Sequence, residues 1–239
     1  MRARRGLIGP AIVAAAAFAV LISLGVWQLQ RKAWKEALIE TMSHRSGARP
    51  IELPAPASWD ALMPSADEFR RVKLRAQFIE GAKPAFVYTG GSALRDDIKS
   101  PGYFVFAPAR APGGQIVVVN RGYTTQTEAK PVSGALDLVG YLRFPESASA
   151  FVADHDTSGT TWFVRDQRAM AKTLGWGDVA PFYIDQESPV PAGGVPKPGP
   201  LKVQLRNDHL GYALTWFGLA AGLVAVFSVW AWSQIRKKS

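Results

Sequence analysis

Leu7 to Leu29 reads LIGPAIVAAAAFAVLISLGVWQL, with no charged residue in about 23 positions. About 20 apolar residues are enough for a helix to cross a hydrocarbon core of roughly 30 Å. The stretch therefore predicts a transmembrane helix over residues 7–29. A signal-peptide core usually runs only about 7–15 residues, which favours an uncleaved anchor. Ala14 to Ala17 does offer the small residues of a cleavage site. Working outward, Tyr212 to Trp232 is also free of charge and predicts a second span over residues 211–232. A buried helix of a soluble protein is the alternative there, and the uninterrupted length argues against it. Between the spans lies a domain over residues 30–210. Basic tails over 1–6 and 233–239 close the two ends.

Arg2, Arg4 and Arg5 precede the first span, and Arg236, Lys237 and Lys238 follow the second. The chain has 239 residues and a formal net charge of +9, from 28 Lys and Arg against 19 Asp and Glu. Setting those six aside leaves residues 30–210 at only about +3, so the charge does not describe a nucleic-acid binder. The positive-inside rule puts both termini in the cytoplasm, or in an organelle matrix, and the domain across the membrane. Arg31, Lys32 and Lys35 argue weakly against this, and Glu36 and Glu40 offset them. The chain has no Cys and three His. That excludes disulfides, thiol nucleophiles, Cys-ligated zinc or iron–sulfur clusters, and covalent c-type haem.

The domain opens as a continuation of the first helix. Trp27, Arg31, Trp34 and Leu38 share one face at helical spacing, and the helix should fade near His44 to Gly47. A Pro-bearing stretch from Pro50 to Pro64 follows. Then Val72, Leu74, Ala76 and Phe78 alternate with Arg71, Lys73, Arg75 and Gln77, the period of a half-buried strand. Further strands are expected at Ala85–Thr89, Tyr103–Ala107, Gln115–Asn120, Leu136–Leu142, Thr160–Val164, Pro181–Asp185 and Leu201–Leu205. Pro112, Gly113 and Gly114 mark a hairpin turn. Asp166 as N-cap and Gly175 as stop frame a short helix. The pattern predicts an α+β membrane protein whose β-rich, mostly antiparallel extracytoplasmic domain is an open sheet or partly closed barrel. Ser188 to Pro200, with five Pro and three Gly, reads as a semi-rigid spacer.

No nucleophile-elbow, zinc-protease or phosphate-loop motif is present. Gly175 to Ala180 fits G-x-G-x-x-A but follows a helix and runs into Pro181, the wrong setting for a dinucleotide. Asp154, His155, Asp156 and Ser158 sit in a Gly/Ser/Thr-rich stretch that reads as an exposed loop. The start of the second span is richer: Arg206-Asn207-Asp208-His209-Leu210-Gly211-Tyr212-Ala213-Leu214-Thr215-Trp216-Phe217-Gly218. His209, Tyr212, Ala213 and Trp216 share a helix face. An imidazole above aromatics at a membrane rim has the parts of a haem site. Arg206, or Arg31, would suit a propionate. An interfacial His bonded to backbone or water is the plainer alternative. Gly218 and Gly222 form a G-x-x-x-G, which permits close helix packing.

At these residues the chain resembles the surfeit-locus (Surf/Shy) assembly factors of cytochrome c oxidase. Gly25-Val26-Trp27-Gln28-Leu29-Gln30-Arg31 resembles the family's G-x-W-Q-x-x-R. Glu68-Phe69-Arg70-Arg71-Val72 and Val119-Asn120-Arg121-Gly122-Tyr123 are similar to its strand blocks. Tyr123 stands where some members have Trp. Trp162 to Asp166 and Pro181 to Asp185 fit weaker blocks. Asn207 to Phe217 resembles its N-x-H-x-x-Y-x-x-T-W-F/Y. The Ala-rich composition suits a bacterial member.

The resemblance implies an oxidase assembly factor with no turnover of its own, which binds haem a and assists its insertion into subunit I. It implies His209 as the ligand of the haem iron, with Tyr212, Trp216 and Arg206 around the cofactor. Trp27, Gln28, Arg31, Asn120, Arg121 and Gly122 are the candidate partner or interface residues; Trp27, Gln28 and Arg31 serve equally well as membrane anchors. The expected partners are subunit I, haem A synthase and the lipid bilayer, in a cell inner membrane with the domain periplasmic. A haem-free scaffold that stabilises subunit I is the alternative. A membrane-tethered enzyme is a third, and it lacks a nucleophile or metal constellation.

Overall fold

The computed structural model describes residues 2–92, 94–127, 132, 134–146, 161–202 and 207–236, with the side chains of 2–6 left aside. The chain divides into two compact units. One is Met1–Glu40 with Leu205–Ser239, and the other is Thr41–Gln204.

The first unit is built on two helices, α1 (Arg2–Gly47) and α4 (His209–Arg236). Both are long and apolar enough to cross a membrane, and their apolar stretches are largely exposed rather than packed into a core. The apolar run, the interfacial Trp27 and the charged continuation all belong to one unbroken helix, α1. It ends at the expected place, where Arg45 Nη2 donates to the Ser65 carbonyl at 2.8 Å.

Among the described residues the second unit holds eight strands: β1 (Ile51–Glu52), β2 (Arg71–Phe78), β3 (Ala85–Thr89), β4 (Gly102–Arg110), β5 (Ile116–Thr124), β6 (Gly134–Arg143), β7 (Thr161–Trp162) and β8 (Val179–Ser188). They run in the order β1-β2-β6-β8-β5-β4-β3-β7, and β4 also pairs with β2. That last pairing, Gln77 with Arg110 and Phe78 with Ala109, closes five strands into a small barrel. Pairing is mostly antiparallel; β5–β8, β3–β7 and β1–β2 are parallel.

The alternation on β2 is the reason for the barrel interior. Val72, Leu74, Ala76 and Phe78 turn inward against Val117, Val119, Leu138, Leu142, Phe182 and Ile184. Each large apolar side chain so buried contributes about 1.5–3 kcal/mol. Trp59, on a 3-10 turn over Pro56–Ala61, plugs one end edge-on to Phe182 at 5.2 Å. The Pro-bearing stretch also forms α2 (Pro64–Asp67). A second core lies on the outer side of the sheet. There Phe104, Phe106, Val118 and Tyr183 meet Met170 and Ala171 of α3 (Gln167–Leu174), with Trp162 and Trp176. Asp166 caps α3, its Oδ1 accepting from the N–H of Arg168 and of Ala169. Gly175 ends it in the left-handed conformation at φ 70°, where glycine carries no Cβ penalty.

Two expectations change. Ser188 belongs to β8, and the Pro/Gly run behind it is tied to the domain rather than extended as a spacer. Lys197 exchanges two backbone hydrogen bonds with Tyr123 (3.0 and 2.7 Å), and Pro196, Pro198 and Gly199 are buried. Proline composition signals stiffness but not which backbone groups find partners. Leu201 and Lys202 form no strand; the rest of that expected element, residues 203–205, lies outside the described residues.

Candidate functional site

Helix α4 starts at His209, and its inner stripe runs His209, Ala213, Phe217, Ala220, at spacings of four, four and three. Ala213 and Ala220 are each 1 % exposed. Small side chains on one stripe allow two helices to approach closely. Helix α1 meets this stripe with Gly25 and Gln28, one turn apart. A Cβ on Gly25 would run into the Phe217 ring, so the close approach uses Gly25. Gly218 and Gly222 face open space, and the expected G-x-x-x-G contact is not part of this helix pair. Directly above, His209 Nδ1 lies 2.7 Å from Gln28 Oε1. The His209 Nε2 has no hydrogen-bond partner among the described residues.

The other residues of this region divide by face. Tyr212 is 59 % exposed, and Trp216 is half-buried. The face of His209, Tyr212, Ala213 and Trp216 therefore splits, because the contact between two helices is narrower than the stripe the spacing groups together. On α1, Trp27 is 50 % exposed and Arg31 lies over the Trp34 ring at 4.4 Å. Trp27 and Gln28 are neighbours in sequence, yet about 100° apart around the helix; one points outward and the other into the seam. Asn207 Oδ1 is buried without a hydrogen-bond partner among the described residues. Arg206, Asp154, His155, Asp156 and Ser158 lie outside the described residues.

The second unit has its own polar centre, around Arg143 on β6. Arg143 Nε donates to Glu68 Oε1 at 2.6 Å, and its Nη1 donates to Asp185 Oδ2 at 2.8 Å. Asn120 Nδ2 donates to Asp185 Oδ1 at 2.6 Å, and Asn120 Oδ1 accepts from the Gly122 N–H at 3.1 Å. Glu68 Oε2 accepts from the Phe144 N–H at 3.1 Å. The Arg143 cation also lies over the Phe69 ring at 4.5 Å. Phe69 is a non-glycine residue in the left-handed region, at φ 65°, a strained conformation that the surrounding contacts must hold. Burial works against the Arg143 cation, but Tyr183, Asp185 and Glu68 together hold its pKa above the ordinary value. Burial pushes the Glu68 carboxyl up, against the pull of Arg143. Burial likewise raises Tyr183, whose hydroxyl has no hydrogen-bond partner among the described residues.

Asn120, Arg121 and Gly122 are all buried on β5. Arg121 extends over the Phe78 ring at 5.8 Å. Gly122 sits at φ 117°, and a Cβ there would strike the backbone of Lys197. Arg121 also lines a cavity with Phe78, Lys83 and Pro108.

Residues 15–221 match the SURF1 family. The chain belongs to the SURF1 family. Its similarity to Surfeit locus protein 1 of Mus musculus is 33 % identity over 236 residues, 92 % of this chain and 74 % of that protein. The human protein of the same name is 32 % identical over 217 residues, 83 % of this chain and 69 % of that one. The Takifugu rubripes protein is 29 % identical over 238 residues, 92 % and 94 % of the two chains. In this SURF1-family chain the scattered sequence blocks converge on two places. Glu68, Asn120 and Asp185, from three separate blocks, meet at Arg143. Gln28 and His209, from the first and last blocks, meet between the helices. Sequence reading missed Arg143 altogether, since an isolated Arg near a strand end carries no motif. A glycine in mid-strand, at Gly122, was the available signal that backbone packs there.

Proposed function

We propose that this chain binds haem a at His209 and assists its insertion into subunit I of cytochrome c oxidase. Membership of the SURF1 family supports a role in assembling the oxidase. The haem part rests on one observation: His209 is held at the start of α4 through Nδ1, and Nε2 has no hydrogen-bond partner among the described residues. Neutral imidazole ligates through a ring nitrogen that carries no proton, so His209 is a residue that would hold haem iron. Tyr212 and Trp216, exposed and half-buried, lie within two turns of it and supply aromatic surface for a macrocycle. When bound, the haem iron supplies the coordination bond; this chain's residues orient, shield and release.

In this reading α1 and α4 both span the inner membrane, with the termini cytoplasmic and the domain periplasmic. Trp27 and Trp34 with Arg31 mark one interface, and Trp230 and Trp232 mark the other, where Arg236 lies 5.3 Å over Trp232. Aromatic and basic residues at the ends of spans are what a bilayer interface favours. Haem a is apolar and poorly soluble, so a carrier at the membrane surface shields it while leaving a route to a membrane acceptor. A single His ligand from the carrier suits release.

The test is a reduced absorption spectrum of the full chain, co-expressed with a haem A synthase and purified in mild detergent. Wild type should show a haem a band that His209→Ala loses or shifts. Two folded proteins without haem would overturn the carrier reading and favour the haem-free scaffold.

A further inference from the structure

A histidine can offer a metal either of two nitrogens, and a neutral imidazole constantly redistributes its one proton between them unless a partner selects the tautomer. In this chain a partner is present. Gln28 Oε1 is 2.7 Å from His209 Nδ1, across 181 residues of sequence. An amide oxygen only accepts, so the proton must sit on Nδ1. Lone-pair density then remains on Nε2, the nitrogen without a partner among the described residues. One turn away, Phe217 packed on Gly25 fixes the distance between the two helices that this hydrogen bond needs.

We infer that Gln28 is the positioning residue of His209: it selects the Nδ1–H tautomer, fixes the ring plane, and so makes Nε2 the one nitrogen available to iron. Its functional meaning rests on the haem reading above; the tautomer claim does not. Partners of this kind orient metal-binding histidines generally, and losing one typically costs about 10–100-fold in affinity. A bond from Gln28 on one helix to His209 on the other also makes the ligand sensitive to the helix pair, since parting α1 from α4 frees the ring.

The haem-free chain decides the first part. It has three His, so a sample of the full chain in detergent, labelled with nitrogen-15 in histidine, gives three pairs of ring signals. His209→Ala assigns one pair. Wild type should show His209 protonated at Nδ1 and bare at Nε2. Gln28→Leu should lose that fixed tautomer, and Gln28→Glu, whose carboxylate also accepts, should keep it. Haem content after co-expression decides the second part. Gln28→Leu should retain tenfold less haem a or worse, with an unchanged melting temperature, and Gln28→Glu should recover it. A Gln28→Leu protein with the wild-type tautomer and haem content overturns the inference. So does a Gln28→Glu protein as poor as Gln28→Leu in both, which would make the residue merely structural. If wild type takes no haem but Gln28→Leu still loses the tautomer, the carrier reading falls and tautomer selection stands.

Discussion

Two polar centres of this chain, one of paired charges around Arg143 and one of neutral groups at His209 and Gln28, end in opposite states. Around Arg143 the partners satisfy one another. Both oxygens of Asp185, both of Glu68 and both polar atoms of the Asn120 amide are engaged inside the domain. Between the helices His209 bonds to Gln28 through Nδ1, and its other ring nitrogen has no hydrogen-bond partner among the described residues. A buried network whose carboxylates are all paired fixes a fold; a bare ring nitrogen at a half-buried edge is available to a ligand. Convergence of family residues thus means different things at the two sites: around Arg143 the carboxylates and the Asn120 amide engage one another, and at His209 a ring nitrogen is left over.

The largest effect should come from breaking the centre around Arg143. Arg143→Ala leaves Asp185 and Glu68 with an uncompensated buried negative charge, a loss of about 3–5 kcal/mol. The melting temperature of the full chain should fall by roughly 10 °C. The His209 ring signals of the protein that remains folded should not move. A stable Arg143→Ala protein would mean that the network is replaceable filler.

Gly25→Leu applies the converse pressure, at about 1–3 kcal/mol for the overpacked seam. Its side chain occupies the place of the Phe217 ring. The helices should part enough to break the bond from Gln28 to His209, read as loss of the Nδ1–H tautomer. Amide hydrogen exchange of the barrel strands, which bury Val72, Leu138 and Ile184, should stay native. Retention of the His209 tautomer in Gly25→Leu would show that the hydrogen bond does not depend on the close approach.

What the sequence displays and what it hides divide along physical lines. Strand β2 was legible because one face meets the core and the other meets water, so Val72, Leu74, Ala76 and Phe78 alternate with polar neighbours. Helices α1 and α4 were legible because each carries an unbroken apolar run long enough to cross a membrane. The closure of the barrel was not, since it rests on Gln77 with Arg110 and Phe78 with Ala109, a contact between distant segments with no local signature. His209 stood out by its chemistry at the rim of an apolar run. Gln28 did not, because its significance lies wholly in a partner on the other helix. Asn120 and Arg121 were candidate partner residues through the family resemblance, and nothing local in the sequence says which side chains would surround them. They are buried because Asp185 and the Phe78 ring are there to receive them.

The smallest effect tests the one part of the Pro/Gly run whose anchoring is ionic. Asp97 accepts from Arg95 Nε and Nη2, each at 2.8 Å, and pairs with Lys197 Nζ at 2.8 Å. Lys197 is the residue whose backbone bridges Tyr123, so the pair helps to hold the run on the domain. The Arg95 hydrogen bond, against some opposing burial and with help from Lys197, holds the Asp97 carboxyl well below its ordinary value of 3.8. The folded chain therefore binds this proton less readily than the unfolded one, and the stability so gained is fully present above 3.8. It fades as pH falls from there toward the depressed folded value, because the unfolded state takes up its proton first. Asp97→Asn should cost about 1 kcal/mol at pH 7, as expected of a partly exposed ion pair. Melting curves of wild type and variant should converge as the pH drops below about 4. A gap that stayed constant down to pH 3 would mean that the Asp97 contacts act through shape and neutral hydrogen bonds, and that charge does not secure the run.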